Sequence, residues 1–293
     1  MSDAIPGEEY ILKGTSACGG CTAQTALRFT LKAAGSRTIL LVGAGCLVVV
    51  EGIFPNTSYS IPTLDTSFAS VASMASGVVA ALDDDDINVI AFSGDGGTFD
   101  IGLQGLSGAI ERGTNFLYIC YDNEAYGNTG IQRSSATPFG ASTTTTPHIK
   151  REHKKDIAGI IAAHEIPYVA TANSAYPKDL YEKVKKALSI KGPKFIHILT
   201  PCPTGWRFPS GEGVEIGKLA VKTGIWVLYE IEDKRFRLSK PSLKVIEGDA
   251  IPVIEYLKIQ GRFSNMSEEE VKILQQSVDR KLEDLRRRVE NGA

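Results

Sequence analysis

Two glycine-rich loops, each directly behind a strand-like apolar run, constrain this 293-residue chain more than any other feature. The first, Gly94-Asp95-Gly96-Gly97, follows Asn88 to Ser93 (NVIAFS). The second, Asn123 to Gly130 (NEAYGNTG), follows Asn115 to Asp122 (NFLYICYD). A helix-like stretch, Phe99 to Arg112, joins them, so the region reads strand, loop, helix, strand, loop. In a parallel sheet both loops emerge at the carboxyl ends of neighbouring strands, the edge where open α/β sheets bind ligands. Asp95 offers a hard oxygen ligand and Asn123 a second one. The glycines let backbone N–H groups come close to an anion. A carboxylate, an amide oxygen, carbonyls and phosphate oxygens together suit octahedral Mg²⁺. The pair reads as a Mg-diphosphate cradle; the plainer alternative is two ordinary βα turns rich in Gly and Asn.

The rest of the chain repeats the alternation. Helices are expected over Thr22–Ala34, 66–82, Asp156–His164 and Pro177–Lys191, and strands over Thr38–Gly43, Tyr168–Ala172 and Phe195–Leu199. The 66–82 helix (TSFASVASMASGVVAAL) is built of small residues and reads as a core helix. Alternation of this kind predicts an α/β fold with a doubly wound, mostly parallel sheet. Asp83 to Asp86 reads as a solvated turn. Residues 1–225 form the expected main domain, and 226–293 an extension packing on that domain or on a partner. In the extension, Trp226–Leu238 reads as an exposed β ribbon. Ser267-Glu268-Glu269-Glu270 is a capping box for a last helix. Its apolar stripe is Val271, Leu274, Val278, Leu282, Leu285 and Val289.

A net charge of −2 gives no electrostatic case for nucleic acid or an anionic membrane. No apolar run is long enough to span a bilayer. The segment Met1 to Leu12 is acidic without a hydrophobic signal, so a cytoplasmic location is expected. Five cysteines in such a chain point to metal or redox chemistry before a disulfide framework.

Cys18-Gly19-Gly20-Cys21 puts two thiolates within reach of one centre. Cys46 follows the Thr38–Gly43 strand, behind a Gly43-Ala44-Gly45 turn, and Cys202 lies between two prolines after Phe195–Leu199. Both then sit on the same sheet edge as the cradle. Four cysteines suit an iron–sulfur cluster; a structural zinc site would use the same four, and a redox CxxC only the first pair. Cys120, inside a strand, reads as a buried apolar residue. His148, His153, His164 and His197 are scattered and without an obvious partner, each read as surface or satisfied core. Thr143–Thr146 is expected as a loop near the cofactor edge.

The Gly-Asp-Gly and the later Asn turn resemble the cofactor motif of thiamine diphosphate enzymes. Combined with Ser16-Ala17-Cys18-Gly19-Gly20-Cys21, with Ser93 to Gly102 (SGDGGTFDIG), with Tyr121 to Thr137 (YDNEAYGNTGIQRSSAT) and with Pro201 to Trp206 (PCPTGW), they extend that resemblance. Over nearly its full length the chain resembles the β subunit of 2-oxoacid:ferredoxin oxidoreductases, most closely the pyruvate branch. The resemblance implies the thiamine diphosphate-binding type of sheet. It implies that Cys18, Cys21, Cys46 and Cys202 ligate one [4Fe-4S] cluster beside the cofactor. Asp95, Asn123 and the carbonyl of Ala125 would hold Mg²⁺. Cys46, Gly94, Asp95, Gly96, Gly97, Asn123, Glu124, Ala125, Tyr126, Gly127 and Asn128 would line thiamine diphosphate, with Asn128 as the catalytic contact to the substrate.

Such enzymes decarboxylate a 2-oxoacid, pass electrons singly to a cluster, transfer the acyl group to coenzyme A and reduce ferredoxin. The family places the glutamate that engages the aminopyrimidine on another subunit. This chain has no second thiamine-domain pattern and no ferredoxin-like cysteine run. The expected partners are therefore α-, γ- and δ-type subunits, one with the pyrimidine domain and one ferredoxin-like, together with ferredoxin. One departure stands out: the family often has Cys-Gly-Glu after the CxxC, whereas Cys21 here precedes Thr22-Ala23-Gln24. Alternative readings are the same chemistry on a branched-chain 2-oxoacid, 2-oxobutyrate or oxalate, a non-oxidative thiamine decarboxylase or synthase with structural zinc, and a non-catalytic cluster carrier that kept the fold.

Overall fold

A computed structural model describes residues 4–84 and 86–290. Residues 1–3 of the acidic N-terminal segment, Asp85 of the acidic turn and the last three residues of the extension lie outside the described residues. The strands are β1 (Thr38–Gly43), β2 (Thr63–Thr66), β3 (Asn88–Gly94), β4 (Leu117–Asp122), β5 (Tyr168–Asn173), β6 (Lys194–Leu199), β7 (Tyr229–Glu232) and β8 (Arg235–Leu238). The helices are α1 (Thr22–Ala34), α2 (Cys46–Glu51), α3 (Val71–Ala81), α4 (Leu103–Glu111), α5 (Ile157–Ala162), α6 (Pro177–Ser189), α7 (Pro203–Trp206), α8 (Gly213–Lys222), α9 (Lys240–Lys244), α10 (Ile254–Leu257) and α11 (Glu268–Glu290).

The strands make one sheet in the order β2-β1-β3-β4-β6-β5-β7-β8. Strands β1 to β6 pair in parallel, and β7 and β8 add antiparallel beyond β5. From β1 the chain steps outward to β2, then crosses back to β3 and on to β4. That reversal opens a crevice at the carboxyl ends of the central strands. Four adjacent strands, β1, β3, β4 and β6, deliver Cys46, Asp95, Asn123 and Cys202 to this one edge.

Burial on both faces explains the near-continuous apolar strand sequences. One face carries Leu40, Val42, Ile90, Phe92, Ile119 and Ile198 against α1 and α6. In α1, Ala23, Ala26, Leu27, Thr30 and Leu31 recur at helical spacing and are buried. The other face carries Leu41, Ala91, Tyr118, Cys120 and Phe195 against α3, α4 and α5. Cys120 is fully buried there, as its strand position predicted. The 66–82 segment is shorter as a helix than expected, because Thr66 completes β2 and α3 starts only at Val71. Only its Val71–Ala72–Ala75 side is core; Met74 and Gly77 are exposed.

The extension differs from expectation too. Trp226, Val227, Leu228 and Phe236 are buried, and β7 pairs with β5, so the ribbon completes the sheet edge instead of standing in solvent. The capping box forms: Ser267 N–H donates to Glu270 Oε2 at 2.8 Å, and the Glu270 N–H reaches Ser267 Oγ at 3.3 Å. Val278 and Leu282 of α11 are buried, with Val271, Leu274 and Leu285 beside them, against Trp226, Val245 and Ile246 of the same chain. Val289 stays exposed. On the acidic turn, Asp84 pairs with exposed Arg37 at 2.7 Å.

Candidate active site

Gly94 ends β3, and Asp95 leads into a turn of π-helix, Gly96–Ile101, in place of the plain α-helix expected from Phe99. Such wide turns concentrate at functional sites. Gly96 is required sterically: a Cβ there would lie 2.3 Å from the Tyr126 ring. Tyr126 is held in turn by a 2.9 Å hydrogen bond from its hydroxyl to Asp100 Oδ2, and its ring meets Phe68 at 5.9 Å.

The loop after β4 reverses through Glu124, a non-glycine residue with φ of +62°. A left-handed residue between Asn123 and Ala125 brings the side chain of one and the carbonyl of the other to the same side. Four contacts hold it. Its N–H donates to Asp122 Oδ1 at 2.9 Å, and its carbonyl accepts from Thr137 Oγ1 at 2.7 Å. Its carboxylate accepts from Lys154 Nζ at 2.7 Å, and Arg262 Nη1 lies 2.6 Å from Oε2, a charge contact without hydrogen-bond geometry. Arg262 stacks 3.7 Å over the Trp206 ring, and Trp206 Nε1 donates to the Asn123 carbonyl at 2.7 Å.

The result is a cluster of oxygens. One end of the Asn123 amide is 2.7 Å from the Ala125 carbonyl oxygen and 3.1 Å from Asp95 Oδ1. With nitrogen at that end the amide donates to both. With oxygen there, its only donor is the Ala125 N–H at 3.3 Å, and the other end puts Nδ2 4.0 Å from Cys46 Sγ. Three oxygens then meet, and either a proton held by the raised Asp95 carboxyl or a cation lies between them. Their spacing matches neighbouring corners of an octahedron with ~2.1 Å bonds, which lie ~3.0 Å apart. Asp95 is buried, and Ser134 Oγ donates to its Oδ2 at 2.5 Å. Burial, with the Asp122 charge behind it, pushes its carboxyl well above the usual range. A divalent cation would reverse that. The residues fit Mg²⁺.

Behind the loop, buried Asp122 is kept charged against the pull of burial by Lys154, at 2.5 Å, and by His197 Nε2, at 2.6 Å. Burial outweighs Asp122 and lowers His197, which sits edge-on to Trp226. His197 thus has a partner that its sequence position did not reveal, though it remains a satisfied core residue. His148, His153 and His164 are exposed.

These elements enclose a cavity of about 280 Å³ lined by Cys46, Gly94, Asp95, Gly96, Gly97, Asn123, Ala125, Tyr126, Gly127 and Asn128, all expected. Glu124 is the exception: its side chain turns away to Lys154 and Arg262. Ala44, Gly45, Phe68, Tyr121 and Thr129 also line it and were not expected. Phe68 was hidden inside the segment read as helix. The Thr143–Thr146 loop packs on the back of the 123–132 loop, where Thr144 Oγ1 donates to the Gly130 carbonyl at 2.8 Å.

A second cavity, about 80 Å³, adjoins the first and shares Cys46, Asn123 and Asn128 with it. Cys18, Cys21 and Cys202 also line it. Gly20 makes the CxxC turn possible, since its φ is +76° and a Cβ there would overlap the Ser210 carbonyl. Cys21 caps α1, Cys46 opens α2, and Cys202 caps α7 and accepts from the Gly205 N–H at 3.2 Å. The short α2 and α7 were not foreseen; α2 begins at a cysteine and α7 is capped by one. Burial, then the neighbouring Cys202, Cys21 and Cys18, pushes the Cys46 thiol up to about 12. Burial and neighbouring thiols raise Cys21 and Cys202 as well, and thiols held up in this way need metal to become thiolates together. Among the described residues, no three His, Cys, Asp or Glu side chains converge as on a single ion. At the departure after the CxxC, Thr22 Oγ1 donates to the Pro201 carbonyl at 2.8 Å, and Ala23 lines the cysteine cavity.

Residues 43–198 match the family of thiamine pyrophosphate enzymes through their C-terminal TPP-binding domain. The chain is 49% identical over 290 residues to pyruvate synthase subunit PorB of Methanothermobacter thermautotrophicus, covering 96% of this chain and 99% of that one. It belongs to the 2-oxoacid:ferredoxin oxidoreductase β subunits. Ketoisovalerate oxidoreductase subunit VorB of Pyrococcus furiosus is 44% identical over 299 residues, covering 98% and 95%. A 2-oxoglutarate:ferredoxin oxidoreductase structure from Magnetococcus marinus shares the fold, with a TM-score of 0.59 at 22% identity, over 71% of this chain and 79% of that one. This β subunit is accordingly part of a thiamine diphosphate-dependent, multi-subunit oxidoreductase. Among its described residues no helix is long and apolar enough to cross a membrane.

Proposed function

We propose that this β subunit binds Mg-thiamine diphosphate in the larger cavity and one [4Fe-4S] cluster in the smaller, for oxidative decarboxylation of pyruvate to acetyl-coenzyme A with ferredoxin as acceptor. The observation that carries the reading is the sharing of Cys46, Asn123 and Asn128 between the two cavities. A cofactor and an electron acceptor held there are neighbours, as a one-electron oxidation requires.

Asp95, the Asn123 amide oxygen and the Ala125 carbonyl hold the metal, and Gly94, Gly96 and Gly97 let the backbone close on the diphosphate. Phe68 and Tyr126 wall the cavity against water. Asn128, on the boundary, orients the substrate carboxylate. Bound there, thiamine diphosphate supplies the carbon nucleophile and the electron sink of the decarboxylation. Cys18, Cys21, Cys46 and Cys202 ring a cavity instead of meeting at a point. That suits a cluster, which spreads its thiolates, better than tetrahedral zinc with ~2.3 Å bonds to one centre.

Pyruvate is favoured over branched-chain acids by three PorB relatives at 49–51% identity against VorB relatives at 44–46%; two further PorB chains stand level with VorB at 45%. Residues 1–225 carry the cofactors and 226–293 brace them. A pyrimidine-domain subunit and a ferredoxin-like subunit complete the cytoplasmic assembly. The test is anaerobic purification of the native complex, with viologen reduction measured against a panel of 2-oxoacids, with and without coenzyme A. Pyruvate is expected to give the highest kcat/KM, dependent on coenzyme A. For the chain itself, iron with labile sulfide is expected; zinc without sulfide would sink the cluster. Asp95→Ala should abolish Mg-dependent cofactor binding.

A further inference from the structure

The cavity ringed by the four cysteines has one buried hydroxyl with nothing to bond to. Thr200 follows β6 directly, and its N–H donates to the Asp122 carbonyl at 2.8 Å, so its backbone is fixed by the sheet. Thr200 is one of the residues lining the cysteine cavity and is 1% exposed, and its Oγ1 is buried without a hydrogen-bond partner. Buried donors beside it are engaged: Thr22 Oγ1 with the Pro201 carbonyl, the Gly205 N–H with Cys202 Sγ, and Trp206 Nε1 with the Asn123 carbonyl. A buried hydroxyl without a partner costs folding free energy, and native chains keep few of them. A polar group retained at such a site has its acceptor in what the cavity holds.

We infer that the Thr200 hydroxyl donates a hydrogen bond to a sulfur of the centre held by Cys18, Cys21, Cys46 and Cys202, and tunes its reduction potential. The inference rests on the reading that these cysteines hold an iron–sulfur cluster. Reduction adds negative charge that is shared by the sulfurs, so a donor hydrogen bond strengthens on reduction and raises the potential. At a hydroxyl buried from solvent that effect is little diluted by water. Thr200 is therefore a tuning residue: it ligates nothing, and it sets how readily the centre takes an electron from the adjoining cavity.

The test uses the full chain, reconstituted anaerobically with iron and sulfide, as wild type, Thr200→Val and Thr200→Ser. Iron and sulfide content and a redox titration followed by electron paramagnetic resonance are the readouts. Thr200→Val, which keeps the volume and loses the donor, should load normally and titrate at a lower potential; Thr200→Ser should stay near wild type. An unchanged potential in Thr200→Val with full iron and sulfide overturns the inference and leaves the cluster reading standing. If Thr200→Val fails to load, loading in Thr200→Ser upholds the role of the hydroxyl, and failure of both overturns it. A wild-type chain that takes up no iron and sulfide overturns the cluster reading itself and the inference with it.

Discussion

Trp206 Nε1 donates a 2.7 Å hydrogen bond to the carbonyl of Asn123. Trp206 ends the helix that Cys202 caps, and Asn123 opens the loop that carries the oxygen cluster. One side-chain donor therefore locks the last cysteine segment to the metal loop. Trp206→Phe keeps a ring beneath Arg262, removes the donor and leaves part of the buried indole's volume unfilled. Leaving a buried carbonyl unpaired costs ~1–3 kcal/mol. We expect that loss in denaturant unfolding, and a several-fold to tenfold weaker calorimetric Kd for Mg-thiamine diphosphate. Wild-type affinity in the variant would show that the lock plays no part in holding the loop.

Arg262 lets the extension reach the site. It lies 2.6 Å from Glu124 Oε2, and both side chains are almost fully buried. Removing one partner of a buried ion pair typically costs ~3–5 kcal/mol, and because Lys154 stays on Glu124 we expect Arg262→Met to cost ~2–3 kcal/mol. Adding Glu124→Gln should recover part of that stability, since the stranded charge goes with it. It should not recover cofactor affinity, because the left-handed turn at Glu124 has then lost its side-chain ion pairs. Unfolding and calorimetric titration of the single and double variants separate these effects. Additive stability losses would exclude the pairing.

The same contacts mark where the sequence stopped being readable. Elements built from long apolar or periodic runs were legible almost to the residue: α1 and β1 have their expected bounds, because burial on both sheet faces writes itself into composition. The strand β2, only Thr63–Thr66 and mostly uncovered, has no such run and was missed. So were α2 and α7, six and four residues long, too short to show a helical period. In the site, Cys46, Asp95, Asn123 and Cys202 come together because each follows a parallel strand, while Cys18 and Cys21 reach the same edge from ahead of α1. Glu124, expected among the lining residues, turns its side chain away from the cavity. Its partners, Lys154 and Arg262, are distant in sequence, and only tertiary packing brings them in. Phe68 and Thr200 carried no local signal at all.

Gly96 tests how closely the two loops must approach. A Cβ at this position would meet Tyr126 Cε1 at 2.3 Å and Cδ1 at 2.5 Å. Gly96→Ala must therefore push the ring away from Phe68 and break its hydrogen bond to Asp100. Overpacking of this kind costs ~1–3 kcal/mol. Because the displaced ring walls the larger cavity, we expect calorimetry to show at least tenfold weaker cofactor binding while iron and sulfide content stays at the wild-type level. Equal losses of both would mean that the two cavities do not respond separately.

Glu51, at the end of α2, provides a pH-dependent readout remote from the loops. Burial first, and then the Asp65 carboxylate beside it, raise its carboxyl from 4.5 to about 7. The folded chain then keeps a proton that the unfolded chain releases. Between pH 4.5 and 7 the folded state binds more protons, so stability falls as pH rises through that window and the loss is complete above about 7. Each pKa unit is worth ~1.4 kcal/mol in full burial. This pair is partly open to water, so screening leaves a fraction of that. Glu51→Gln removes the titration, so its stability should change less than wild type across the window. The difference between the two should move in favour of the variant as pH rises from 4.5, and level off above 7. Chemical denaturation at pH 4.5, 6 and 8 measures it, and parallel pH profiles for the two proteins would overturn the assignment.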